Sequence, residues 1–148
     1  MIKDAMKAKG RLNIVLKDET GAVKESREID NLVVATGLTF ICSRMKDATA
    51  TAMTHMAVGT GTTAAASGDT ALGSESHREA LDSTTASSNT ITYVSSFEAG
   101  EGTGALTEAG IFNAGSGGTM LCRTVFDVVN KGANDTMSIT WTITITAA

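Results

Sequence analysis

From Met137 to Thr146 the chain alternates without a slip. Met137, Ile139, Trp141, Ile143 and Ile145 fall on one side, and Ser138, Thr140, Thr142, Thr144 and Thr146 on the other. A period of two belongs to a β-strand with one buried face. Its register is strongly specified, because a slip of one residue would turn every apolar side chain to water. Any fold for this chain must therefore receive this strand in a sheet and cover its apolar face with a second layer. Trp141, the only tryptophan, is predicted to face that core.

Other segments carry the same period. In Gly10–Lys17, Leu12, Ile14 and Leu16 alternate with Arg11, Asn13 and Lys17. Asp18 to Gly21 then supplies a turn, and Ala22 to Asn31 can return. The returning strand carries Lys24, Glu25, Arg27 and Glu28, a composition suited to an exposed or edge strand. A hairpin over 10–34 follows. Residues 36–46 change period: Leu38, Ile41, Cys42 and Met45 mark one face of a helix, with Thr36 as N-cap and Arg44 and Lys46 toward its C-terminal end. His55 to Gly61, HMAVGTG, is predicted to be a core strand, Met56 and Val58 on one face, ending in a Gly-Thr-Gly turn.

Thr62 to Gly68 is small and flexible in composition. Asp69–Ser83 is ambiguous, and extended structure is favoured over a helix because of Gly73 and the Ser and Thr content. Strands are expected over 90–97, with Ile91, Tyr93 and Phe97 on one face, and over Leu106–Phe112. A third is expected over Met120–Val128, with Met120, Cys122, Phe126 and Val128 inward and Arg123 and Asp127 outward. The sum is one domain over 1–148, mainly β. It is predicted to be an antiparallel β-sandwich or jelly-roll-like fold with one short amphipathic helix near 36–46, a main sheet region at 54–148 and a basic N-terminal arm at 1–9.

The charge is uneven. The chain has a net charge of −4, yet Lys3, Lys7, Lys9 and Arg11 make its start basic, read either as a solvated arm or as one that docks on an acidic neighbour. The acidic remainder argues against a nucleic-acid partner. No apolar run approaches the roughly 18 residues of a membrane helix, and the N-terminus has no apolar stretch of the kind a signal peptide carries. Cys42 and Cys122 form neither a disulfide framework nor a zinc motif, and both read as small buried hydrophobes of a protein made in a reducing cytoplasm.

Catalytic signatures are missing from the sequence. His55 and His77 are the only candidate bases, and neither sits beside an activated nucleophile. No cofactor motif is found. His77 with Glu75 and Glu79 is the one spacing that could suggest a metal, and it is read as surface charge. Gly59 and Gly61 suggest a ligand loop, but the Lys of a phosphate loop is lacking, so they are read as a turn. Glu75, Arg78, Glu108 and Arg123 lie in or beside core strands, either exposed outward or joined in a buried or interfacial ion pair. With Lys3, Lys7, Lys9, Thr60, Gly61 and Thr62 they make up the candidate assembly contacts, and the segment leaving HMAVGTG is the first place to look for one.

Four pieces, HMAVGTG (55–61), DTALGSESHREAL (69–81), TEAGIFNAGSGGTMLCRTVF (107–126) and the terminal SITWTITIT, occur in an order that resembles small structural proteins of tailed bacteriophages. The N-terminal attachment domains of tail-fibre proteins show the same order. DNLVVATGLTFICSRM (30–45) is similar to the start of some phage virion proteins. The resemblance implies a non-enzymatic virion component made in the bacterial host cytoplasm. It would be tail-associated as a fibre base or adaptor, or alternatively a capsid decoration protein. It further implies self-association and contact with other virion proteins. Tail-fibre proteins continue into a shaft and a receptor-binding tip, whereas this sequence stops after the core strand. A carbohydrate-binding module, with a host-surface glycan as ligand, is a third reading.

Overall fold

The computed structural model describes residues 5–47 and 49–147. Nine strands and one helix follow in the order β1 (Met6–Lys17), β2 (Val23–Val33), α1 (Ala35–Lys46), β3 (His55–Gly59), β4 (Glu75–Ala80), β5 (Ser83–Ser87), β6 (Thr90–Phe97), β7 (Gly104–Phe112), β8 (Met120–Lys131) and β9 (Thr136–Ala147). The fold is mainly β, antiparallel, with one short helix, as the alternations predict. Its layers are the two halves of one nine-stranded sheet, β4-β3-β7-β8-β2-β1-β9-β6-β5, curled into a half-barrel. Strand β2 is the spine between the halves. It pairs with β1 along most of its length and with β8 only through Leu32 and Val33. One continuous core lies between the halves, from Leu12, Ile14 and Leu16 of β1 and Ile139, Trp141 and Ile143 of β9 to Met56, Val58, Leu106 and Ile111 opposite.

The β9 half follows its pattern closely. Met137, Ile139, Trp141 and Ile143 are buried, and the hydroxyl face points outward. Strand β1 begins earlier than the hairpin predicted from sequence. Lys7 and Lys9 are part of it, paired with Thr146 and Thr144, so residues 6–9 belong to the sheet and are not a solvated arm. The reason is that β9 is long enough to offer ladder partners down to Met6, while Ala8 and Gly10 continue the inward face of β1. Strand β5, exposed along its length and without an apolar stripe, gave no signal in the sequence.

The helix occupies the predicted span but turns a different face inward. Leu38 is 48% exposed and Met45 72%, and Cys42 is also exposed, unlike the buried Cys122. Gly37 is buried instead, and Phe40 and Ile41 pack on the core. Close approach selects this face, because a Cβ on Gly37 would meet the Leu121 carbonyl oxygen at 2.0 Å. Only glycine lets the helix lie this close to β8. Thr36 is not the cap. Val34 holds that position, Ala35 donates to Ser67 O, and the Thr36 hydroxyl donates to Met120 O.

Strand β8 also departs from simple alternation. Leu106 pairs with Val129 but Glu108 with Val125, so β8 carries extra residues in a bulge. The bulge turns Val128 outward (42% exposed) and Val129 inward. Among the described residues no helix is long and apolar enough to cross a membrane.

Candidate functional site

Strands β3, β7 and β8 are rich in apolar residues, yet Glu108 and Arg123 interrupt them in the middle of the sheet. The pairings Gly59–Glu108 and Gly110–Arg123 place Glu108 and Arg123 on the face opposite the main core. By alternation that face would meet water. Here the 60–74 segment folds back over it. Glu108 is fully buried and Arg123 is 2% exposed.

The Glu108 carboxylate accepts five hydrogen bonds. Oε1 takes the amides of Gly61 (2.8 Å) and Ser74 (2.7 Å). Oε2 takes the amide of Gly73 (2.8 Å) and the Nε and Nη2 groups of Arg123 (3.1 and 2.9 Å). Arg123 also reaches the loop, donating from Nη1 to Asp69 Oδ2 at 2.8 Å and from Nη2 to Thr63 O at 2.9 Å. The Thr107 hydroxyl donates to Gly61 O, and Thr60 N to Ser74 O. Burial pushes the Glu108 carboxyl up, but the amides of Ser74 and Gly73, the guanidinium and the Gly61 amide outweigh it. The net pKa lies below the ordinary value. Asp69 is lowered too, by the Ala66 amide above all and by Arg123.

The glycines are explained by this carboxylate. A Cβ on Gly61 would lie 2.5 Å from Glu108 Oε1, and one on Gly59 would lie 2.3 Å from Ser74 O. The Gly-Thr-Gly segment does give an anion one backbone amide, that of Gly61, and the anion comes from the chain itself. Beneath the loop lies a second apolar cluster of Val34, Ala57, Leu72, Phe112 and Met120. At its rim Arg78 stacks 3.8 Å over the Phe112 ring, pairs with Glu75, and donates to Ala114 O and Gly117 O of the β7–β8 turn.

Of the residues singled out in the sequence, the fold thus joins Gly61, Glu108 and Arg123 in one network. Glu75 and Arg78 form a separate ion pair on the same face. The alternative of a buried pair holds for Glu108 and Arg123. Thr60 and Thr62 are exposed on the loop, which is fastened at Gly61 and again from Asp69 to Ser74. Lys7 and Lys9 lie apart on the outer face of β1. There they line an open groove with Arg11 and with Thr140, Thr142 and Thr144. Lys3 is outside the described residues. Asp69, Gly73 and Ser74 were missed, since nothing local marks a loop residue that will meet a distant carboxylate. Lys131 was also missed. It is 2% exposed and donates to Glu98 O at 2.8 Å.

One further group gathers on the core side of β4. His77 and Glu79 pair with Val58 and Met56 and so share their face. Their side chains meet Glu101 from the β6–β7 turn. Glu75, the neighbour suggested by spacing, is engaged with Arg78. No family model matches the chain, and no curated protein or solved structure matches it.

Proposed function

We propose that this protein is a non-enzymatic structural component of a tailed-bacteriophage virion, tail-associated as a fibre base or adaptor. One observation carries the reading. Three of the four sequence pieces behind the resemblance meet at a single place: Gly61 from the first, Asp69, Gly73 and Ser74 from the second, and Glu108 and Arg123 from the third. What these motifs encode is a clamp that fixes a loop. Its carboxylate is saturated by donors and sealed from solvent, so it has no lone pair to offer a substrate. A rigid loop on a stable sheet suits a contact surface in a particle, where ordering on binding would weaken assembly.

Two surfaces are the assembly contacts in this reading. The first is the exposed part of the loop around Thr60, Gly61 and Thr62. The second is the outward stripe of Lys7, Lys9 and Arg11, which fits an acidic neighbour. Capsid decoration is the alternative role. Sugar binding by ring stacking gains nothing from Trp141, which is fully buried. Mass spectrometric copy number in purified particles tests the proposal. A few to a few dozen copies per particle supports the tail. Copies on the order of hundreds would move the protein to the capsid, and absence from particles would overturn the virion reading.

A further inference from the structure

We infer that His77, Glu79 and Glu101 form a divalent-cation site, with Zn2+ as the ion best matched to its donors. The candidate ligand atoms of the three side chains all lie within 4.8 Å of one another. The imidazole distinguishes this group from a cluster of acidic side chains. One nitrogen and two carboxylate oxygens are a donor set zinc accepts, with water completing four-coordination.

The group is built into the fold. His77 and Glu79 are two residues apart on the edge strand β4, so their side chains leave the same face. The His77 ring sits edge-on to Phe97, with centroids 6.1 Å apart. Glu101 is held in a turn between Gly100 and Gly102, both at positive φ, and its Oε2 accepts the Glu98 amide at 2.8 Å. That leaves Oε1 for a cation. A Cβ on Gly102 would stand 3.7 Å from His77 Cβ, so the turn lies close against β4.

The charge balance provides an independent argument. All three residues are half-buried. Among the described residues, neither Glu79 nor Glu101 forms an ion pair with a lysine or arginine, and Glu79 meets only His77 Nε2, at 2.5 Å. Of the cations nearby, Arg78 leaves the opposite face of β4 to pair with Glu75, and Lys131, which donates to Glu98 O, acts on Glu101 electrostatically but is shared with Glu98 and Asp135. Two carboxylates thus share one imidazole and part of the field of Lys131, itself divided among Glu98, Glu101 and Asp135, and a dication would supply the remaining positive charge. Binding exchanges the His77–Glu79 hydrogen bond for two bonds to the metal. It ties edge strand β4 to the turn that carries the chain from one half of the sheet to the other, closing the seam of the half-barrel.

The test titrates the full chain with Zn2+ by calorimetry and with Co2+ by visible absorption, with thermal melts in Zn2+ and in chelator. The expected result is one saturable site per chain, a Co2+ ligand-field band, and a melting temperature raised by zinc and restored by chelator. Glu101→Gln, a nearly isosteric change in a turn, and His77→Ala should each weaken binding at least about tenfold, while His55→Ala should not. Circular dichroism checks that each variant is folded, and Glu101→Gln keeps the test valid if His77→Ala is not. Lack of saturable binding at millimolar Zn2+ would overturn the site. So would binding that survives Glu101→Gln or disappears with His55→Ala.

Discussion

The two halves of the sheet are specified in different ways. The half around β9 has one wet face and one dry face, and its strands alternate accordingly: Thr142 outward, Trp141 inward, with Arg11 and Leu12 opposite them on β1. The half around β7 is dry on both faces. Every residue from Leu106 to Phe112 is buried, with the main core on one side and the 60–74 loop on the other. An antiparallel sheet with one solvated face needs only a period of two, whereas a strand covered on both faces loses that period. What fixes the second half is a buried charge pair and a set of amides. Hydrophobic patterning alone specifies the first.

The contrast sets out a series of perturbations. The largest effect is expected in the alternating half, where Trp141→Asp puts an unpaired charge in the core and should leave no cooperative melt. In the clamped half, Arg123→Ala strands the Glu108 carboxylate. A loss of about 3–5 kcal/mol is expected by chemical denaturation, the cost of breaking one partner out of a buried pair. Gly61→Ala forces a methyl onto Glu108 Oε1 and should cost about 1–3 kcal/mol, with the loss confined to the loop in hydrogen exchange.

Acid gives a gentler perturbation. Glu108 has a folded pKa below its ordinary 4.5. Its stabilisation is therefore complete above that value and is lost as the pH falls through the lower folded value. Asp69 acts in the same direction below 3.8. Stability measured from pH 6 downward should fall less steeply in Glu108→Gln than in the unaltered protein. The smallest effect is expected for Thr142→Asp on the wet face, under about 1 kcal/mol. A cost equal to that of Trp141→Asp would show the two faces of β9 to be misassigned.

The legibility of the sequence follows the same division. The span of β9, the β1–β2 hairpin, the extended β4 and the glycine turns could all be read, because each is encoded by neighbours two to four residues apart. Helix α1 could be read as a helix but not in its facing. Its apolar stripe points to Leu38 and Met45, whereas the packed face is set by Gly37 meeting Leu121 across the chain. Cys42 was misread for the same reason. Strand β5 has no apolar residue larger than alanine and sits at the edge of the sheet, laddered to β6.

Glu108 and Arg123 were visible as charges inside apolar strands, which is the signal a buried pair leaves. Their partners were not, since Gly61, Asp69, Gly73 and Ser74 become donors and acceptors only once the loop has closed. In sequence, Gly59 and Gly61 suggest a ligand loop but lack the lysine of a phosphate loop and read as a turn. The structure supplies the missing anion from β7.

The claim that Glu108 staples the 60–74 loop is tested most directly by amide hydrogen exchange on the unaltered protein. The amides of Gly61, Gly73 and Ser74 carry no sheet ladder, yet each donates to a buried carboxylate at 2.7–2.8 Å. They are predicted to exchange as slowly as ladder amides of β7, while the amides of exposed Thr62 and Ala64 exchange quickly. Exchange of all five at the fast rate of an open loop would contradict the clamp.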